Sequence, residues 1–113
     1  MISKIYSAAL RGVEAVEVEV EVAAREADGA NAGRINIVGL ADAAVRESSD
    51  RVTTAILAFA LNFVYGVHTV NLAPADLKKE GPSFDLPIAL AMIACEHEEE
   101  LSQARDLMIV GEL

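Results

Sequence analysis

Tryptophan is absent from this sequence, aromatic residues make up only 4% of it, and there is one cysteine, Cys95. A core must therefore be assembled from Val, Ile, Leu and Ala. A lone cysteine excludes an internal disulfide and makes a reducing, cytoplasmic setting the expectation. Basic residues are scarce: 9 against 18 acids, a net charge of −9. Phosphate neutralisation needs clustered Lys and Arg, so this balance argues against a nucleic-acid surface on the domain itself. No apolar run approaches the length of a membrane span. The N-terminal stretch is interrupted by Ser3, Lys4 and Ser7 and does not read as a secretory leader. None of the seven glycines is followed by Lys, and no two are spaced Gly-x-Gly, so neither a phosphate loop nor a dinucleotide fingerprint is present.

What is there fits one small domain. The chain has 113 residues and is 53% hydrophobic. At that size about two-thirds of the unfolded surface is buried on folding, enough for a core without staples. Residues 2–10 are rich in strand formers, and Arg11-Gly12 reads as a turn. Val16, Val18, Val20 and Val22 alternate with Glu17, Glu19 and Glu21. Period two marks a half-buried strand, and with the first segment it makes an antiparallel hairpin. Residues 25–34 read as an exposed loop, and Ile35, Ile37 and Val38 as a third strand stopped by Gly39.

A helix is expected next, capped by Asp42, with Val45, Val52, Ile56, Phe59 and Phe63 on one face and Asn62 and Gly66 at its end. Glu47 and Arg51 form an i,i+4 pair on its wetter side. His68 to Leu72 predicts a fourth strand, and Asp85 to about Glu96 a buried helix with Pro87 in its first turn. Leu107 to Val110 predicts a last strand. The order β-β-β-α-β-α-β defines an α+β fold, a mixed sheet with two helices packed on one face.

Few residues carry obvious chemistry. Cys95, His97 and the glutamates after them lack a zinc-ligand spacing, and a solvated acidic turn is the expectation, with no metal site. His68 reads as structural or exposed. The distinctive stretch is Lys78-Lys79-Glu80-Gly81-Pro82-Ser83-Phe84-Asp85. It would hold the Ser83 hydroxyl at a helix N-terminus, where free N–H groups stabilise an anion. A serine nucleophile also needs a base, and no Asp-His pattern is present, so capping of the helix by Ser83 or Asp85 is the stronger expectation. Upstream, Asp76 follows Pro74 in a turn. It either fixes the loop through its own side chain or joins Asn71 in a polar site.

These segments carry a resemblance. Tyr6-Ser7-Ala8-Ala9-Leu10, Ile37-Val38-Gly39-Leu40-Ala41-Asp42 and, above all, Val70 through Leu90 resemble the magnesium-chelatase-like AAA+ ATPases of the YifB/ComM competence-protein type. Ala41 stands where that family usually has proline. The resemblance implies a fold of the ribosomal-protein and Lon-protease-domain superfamily. It implies that residues 1–113 are the N-terminal domain of a longer protein whose ATPase module binds ATP and Mg2+. It marks Asn71, Pro74, Asp76, Lys78, Lys79, Glu80, Gly81, Pro82, Ser83 and Asp85 as the family's motif loop. Gly81-Pro82-Ser83 and Val110-Gly111-Glu112 are also similar to the Lon proteolytic domain, which implies Ser83 as a nucleophile whose lysine lies beyond Leu113. Phe84 stands where Lon-type proteins have a small residue.

Two functions follow as expectations. The first is a non-catalytic accessory domain that contacts its own ATPase module and self-associates, in a parent acting in DNA processing or natural competence. The alternative is a Lon-like serine-lysine peptidase fragment built on Ser83. No cofactor is expected in this chain itself.

Overall fold

The computed structural model describes residues 2–27, 29, 33–59, 66–97 and 102–113. Asn62, Phe63 and Glu98–Glu100 fall outside them. The Val/Glu alternation does what its period requires. Strands β1 (Ile2–Arg11) and β2 (Glu14–Glu26) pair antiparallel from Ile2↔Ala23 to Arg11↔Glu14 without a bulge. Gly12, at φ 63°, supplies the positive φ of the two-residue connection. Val18, Val20 and Val22 are buried, while Glu19 and Glu21 lie on the wetter face, where Lys4 bridges them at 3.1 and 3.5 Å. The strand outruns expectation and takes in Arg25 and Glu26, because β4 (Gly66–Ala73) pairs alongside it as far as Glu26↔Gly66.

Strand β3 (Ile35–Val38) runs parallel to β4, from Ile35↔His68 to Val38↔Asn71. The four-stranded sheet has the order β1-β2-β4-β3. Gly39 ends β3 for a steric reason. At φ 115°, an added Cβ would lie 2.1 Å from the Leu72 carbonyl oxygen.

The predicted first helix is two helices. Asp42 caps α1 (Ala43–Arg46) by accepting the Val45 N–H at 2.8 Å, and α2 (Ser48–Ala58) begins after Glu47. Val45, Val52 and Ile56 are buried as their spacing requires, but Phe59 is 77% exposed. It lies past the last helical residue, so the helical stripe no longer directs it. Helix α3 (Asp85–Glu96) packs on β1 and β2, and α2 packs on α3. Val52 and Ile56 of α2, Ile88 and Met92 of α3, and the inward residues of β1, β2 and β4 share one hydrophobic core. The fold is thus mixed α+β, with helices and sheet sharing that core.

Leu107–Val110 is not a strand. Ile109 packs against the core, and among the described residues the segment's one backbone hydrogen bond to the sheet runs from Ile109 N–H to the Tyr6 carbonyl at 2.8 Å. Two residues later the chain turns to α3 instead. Gly111 N–H donates to the Ser83 carbonyl at 2.9 Å, and Leu86 N–H donates to the Gly111 carbonyl at 3.0 Å. The described residues therefore form four strands, not five. The bonds to the first turn of α3 replace a β ladder.

Candidate functional site

The motif loop leaves β4 at Ala73, crosses to the end of β3 and enters α3. Two buried charges bracket the Gly81-Pro82-Ser83 turn. Lys79 precedes it and Asp85 follows it, and neither side chain reaches solvent.

A Lys-Lys-Glu cluster in a loop looks solvated. Only Lys78 and Glu80 behave so, forming an exposed ion pair at 3.3 Å. Lys79 points inward because its backbone is held on both sides. Its N–H donates to the Leu40 carbonyl and its carbonyl accepts from Asp42 N–H, each at 3.0 Å. This parallel bridge with Ala41 drives the side chain under the turn. There Nζ donates to the Gly39 carbonyl at 2.7 Å and to the Pro74 carbonyl. Leu40 sits at φ 54°, a left-handed conformation unfavourable for a branched residue, and the bridge holds it there. Burial pushes the Lys79 pKa below its ordinary value, and the nearby Asp76 carboxylate partly offsets this. Asp42 ties the region together. One carboxylate oxygen caps α1 and the other accepts Gly81 N–H at 3.3 Å.

Asp85 does not cap its helix. The N-cap position is Phe84, and no side chain caps α3. The Asp85 carboxylate turns instead to α2, where Ser48 Oγ donates to Oδ1. Arg51 Nε donates to Oδ2 at 2.7 Å and Nη2 to Oδ1 at 3.1 Å, a bidentate pair. Leu113 N–H donates to Oδ2 at 3.2 Å. Burial alone would raise the Asp85 pKa, but the Arg51 and Ser48 hydrogen bonds, the Leu113 N–H and the Arg51 charge bring it below the usual carboxylate value. Arg51 also reaches the Ala44 carbonyl at 2.7 Å and Glu47 at 3.6 Å, so the expected i,i+4 pair is the outer fringe of a larger cluster.

The N–H groups at the start of α3 are already bonded. Asp85 N–H donates to the Pro82 carbonyl at 3.2 Å, Leu86 N–H to Gly111 and Ile88 N–H to Phe84 at 3.0 Å. Pro87 has no N–H to offer. Ser83 is half-buried, and it lines a cleft of about 210 Å³. Besides Ser83, the cleft is lined by Ala8, Ala9 and Leu10 of β1 and by Lys78, Glu80 and Phe84. Asn71 is exposed on the opposite face of the sheet, paired with Glu21. Asp76 lies in the turn after Pro74 and acts on Lys79 through its charge.

The other candidates separate. Cys95 is buried in the core and its thiol pKa is pushed up by that burial, whereas His97 is exposed at the end of α3. His68 is buried on the inward face of β4, 3.6 Å from Glu96, and burial lowers its pKa against the opposing pull of that carboxylate. Sequence reasoning missed Ser48 and the true partner of Arg51. That partner lies 34 residues away in the chain, and no local pattern reports it.

The family model for subunit ChlI of Mg-chelatase matches residues 18–113, and the chain belongs to that family. It is 36% identical over 112 residues to the protein YifB of Escherichia coli, with 99% of this chain aligned. It is 38% identical over 109 residues to the competence protein ComM of Haemophilus influenzae, with 96% of this chain aligned. The chain spans only 21% of the length of each of these relatives. Among the described residues, no helix is long and apolar enough to cross a membrane.

Proposed function

We propose that this chain is a non-catalytic accessory module of a magnesium-chelatase-like AAA+ ATPase, used for assembly and partner contact. The observation that carries the reading is the family match over residues 18–113 of a chain whose sequence holds no Gly-Lys phosphate loop. ATP and Mg2+ then belong to a part of the parent outside these residues. The name of ComM supports a parent acting in natural competence or DNA processing. The −9 charge keeps DNA contact away from this module, and a cytoplasmic setting fits its single buried thiol.

The proposal includes a Lon-domain-like fold. The hydrogen bond from Gly111 N–H to the Ser83 carbonyl supports it, because it joins the two short motifs on which that likeness rests. Within this reading the motif loop is architectural. Its Lys79 and Asp85 fix the turn, and Ser83 performs no chemistry.

The test is the Ser83→Ala variant of the full-length parent, assayed for ATP hydrolysis, oligomer size and peptide cleavage. The reading expects all three to match the unaltered protein. Peptide cleavage that vanishes with the hydroxyl would replace it with the serine-lysine peptidase reading.

A further inference from the structure

Helix α3 is apolar on more faces than the sheet covers. Ile88, Met92 and Cys95 are buried in the core it shares with β1 and β2. Leu86, Leu90 and Ile93, at steps of four and three, make a second stripe that is only half-buried. With Ala55, Phe59 and Leu113 they line a groove of about 180 Å³ between α3 and α2, and all its lining residues are apolar. A helix that is hydrophobic all round belongs in an interior. The C-terminal segment identifies what completes that interior. Ile109 is bonded to β1, Gly111 to the first turn of α3, and Leu113 to Asp85, whose other partners are on α2. The segment therefore crosses from the sheet over the start of α3 toward α2. A Cβ added at Gly111 would meet the Leu86 side chain at 3.0 Å, so the glycine lets the segment lie close on the helix. Leu113 then lines the groove, and also a second hollow with Thr54, Ala55 and Ala58 of α2.

We propose that the groove between α2 and α3 seats apolar side chains of the parent's own chain directly after Leu113, so that the segment joining this module to the rest of the parent also closes its helical face. The inference deepens the accessory-module reading and rests on it, because that reading makes the parent's chain run on from Leu113. YifB and ComM are each matched over only 21% of their length. The choice of occupant follows from where Leu113 is held. A second copy of this chain has to be captured from solution. A segment tethered at the mouth of the groove has an effective concentration in the millimolar range and little freedom left to lose. An all-apolar lining fits apolar side chains and offers a charged partner nothing. The reach is short. Helix α3 has 12 residues and is about 18 Å long, which about 6 residues of extended chain or 12 of helix would span.

The experiment is photocrosslinking in the full-length parent. Phe59→p-benzoylphenylalanine places the probe on an exposed aromatic of the groove. Isotope-labelled and unlabelled chains are mixed, irradiated and mapped by mass spectrometry. Crosslinks should fall within about 20 residues after Leu113, in the same chain. The same probe at Val13, exposed beside the hairpin turn, should not reach that segment. Phe59→Ser should speed hydrogen exchange in the segment after Leu113 by about fivefold and leave β1 and β2 unchanged. Crosslinks between labelled and unlabelled chains would overturn the proposal and assign the groove to a second copy. Crosslinks confined to remote parts of the parent, the absence of any crosslink, or an unmoved exchange rate after Phe59→Ser would overturn it as well. The two readings fail separately. If the parent tolerates Ser83→Ala and the Phe59 probe reacts elsewhere, this inference falls and the accessory reading stands. Peptide cleavage lost in Ser83→Ala removes the accessory reading whatever covers the groove.

Discussion

Lys79 and Asp85 lie six positions apart, both out of solvent, and the chain satisfies them in opposite ways. Lys79 is held by the carbonyls of Gly39 and Pro74, which are dipoles. Asp85 is held by a full opposite charge on Arg51, the Ser48 hydroxyl and a backbone N–H. The first arrangement stays within loops and fixes the path from β4 to the turn. The second joins α2, α3 and the C-terminal segment. A buried charge met by a charge becomes costly when its partner is deleted, because the survivor is stranded. One met by dipoles leaves carbonyls behind, and at Lys79 also the exposed Asp76 carboxylate, which water screens, at a smaller penalty.

The comparison can be broken by substitution. Asp85→Ala should have the largest effect, about 3–4 kcal/mol of stability in urea unfolding, because Ser48 and Leu113 N–H lose their acceptor and Arg51 keeps only the Ala44 carbonyl and the exposed Glu47. Gly39→Ala should follow at about 3 kcal/mol. It forces a side chain into a positive-φ position against the Leu72 carbonyl and displaces the acceptor of Lys79. Lys79→Met keeps the packing volume and should cost about 1–3 kcal/mol. A Lys79→Met loss as large as that of Asp85→Ala would erase the distinction.

Acidity sharpens it further. Asp85 has a native pKa below its unfolded value, so its stabilisation is present above the unfolded pKa and is lost as pH falls through the native one. Asp85→Asn should flatten the acid limb of a stability–pH curve. Lys79 has a native pKa lowered by burial, so the native state releases its proton first. Stability should therefore rise with pH from that native value toward 10.5. Lys79→Met should remove that alkaline rise and leave the acid limb intact. The smallest effect belongs to Ser83→Ala, within about 0.5 kcal/mol, since the side chain is half-buried and the bond from Gly111 reaches its carbonyl.

Local patterns made much of this fold legible. The hairpin was readable because Val and Glu alternate over a strand with one wet face. Helix α3 was readable because its apolar run is long and Pro87 falls in the first turn. Leu107–Val110 is apolar enough to predict a strand, yet it forms none. The bonds to Ser83 and Leu86 that draw its end away lie in residues distant in sequence. The stretch from Lys78 to Asp85 is distinctive in sequence, but the placement of its charges is not legible there. Lys79 is indistinguishable from Lys78 in sequence, and only the bridge to Ala41 turns one inward and leaves the other outside. Asp85 looked like a cap because caps are local, while its partners Ser48 and Arg51 lie 37 and 34 residues away.

The central claim is that the motif loop is architectural and that its serine does no chemistry. It is tested most directly by placing Ser83→Ala and Asp85→Ala separately in the full-length parent. Thermal unfolding, oligomer size and peptide cleavage would be measured on each. The account predicts that Ser83→Ala is indistinguishable from the unaltered protein and that Asp85→Ala unfolds at lower temperature and assembles poorly. Cleavage present in the parent and lost in a normally stable, normally assembled Ser83→Ala protein would contradict it.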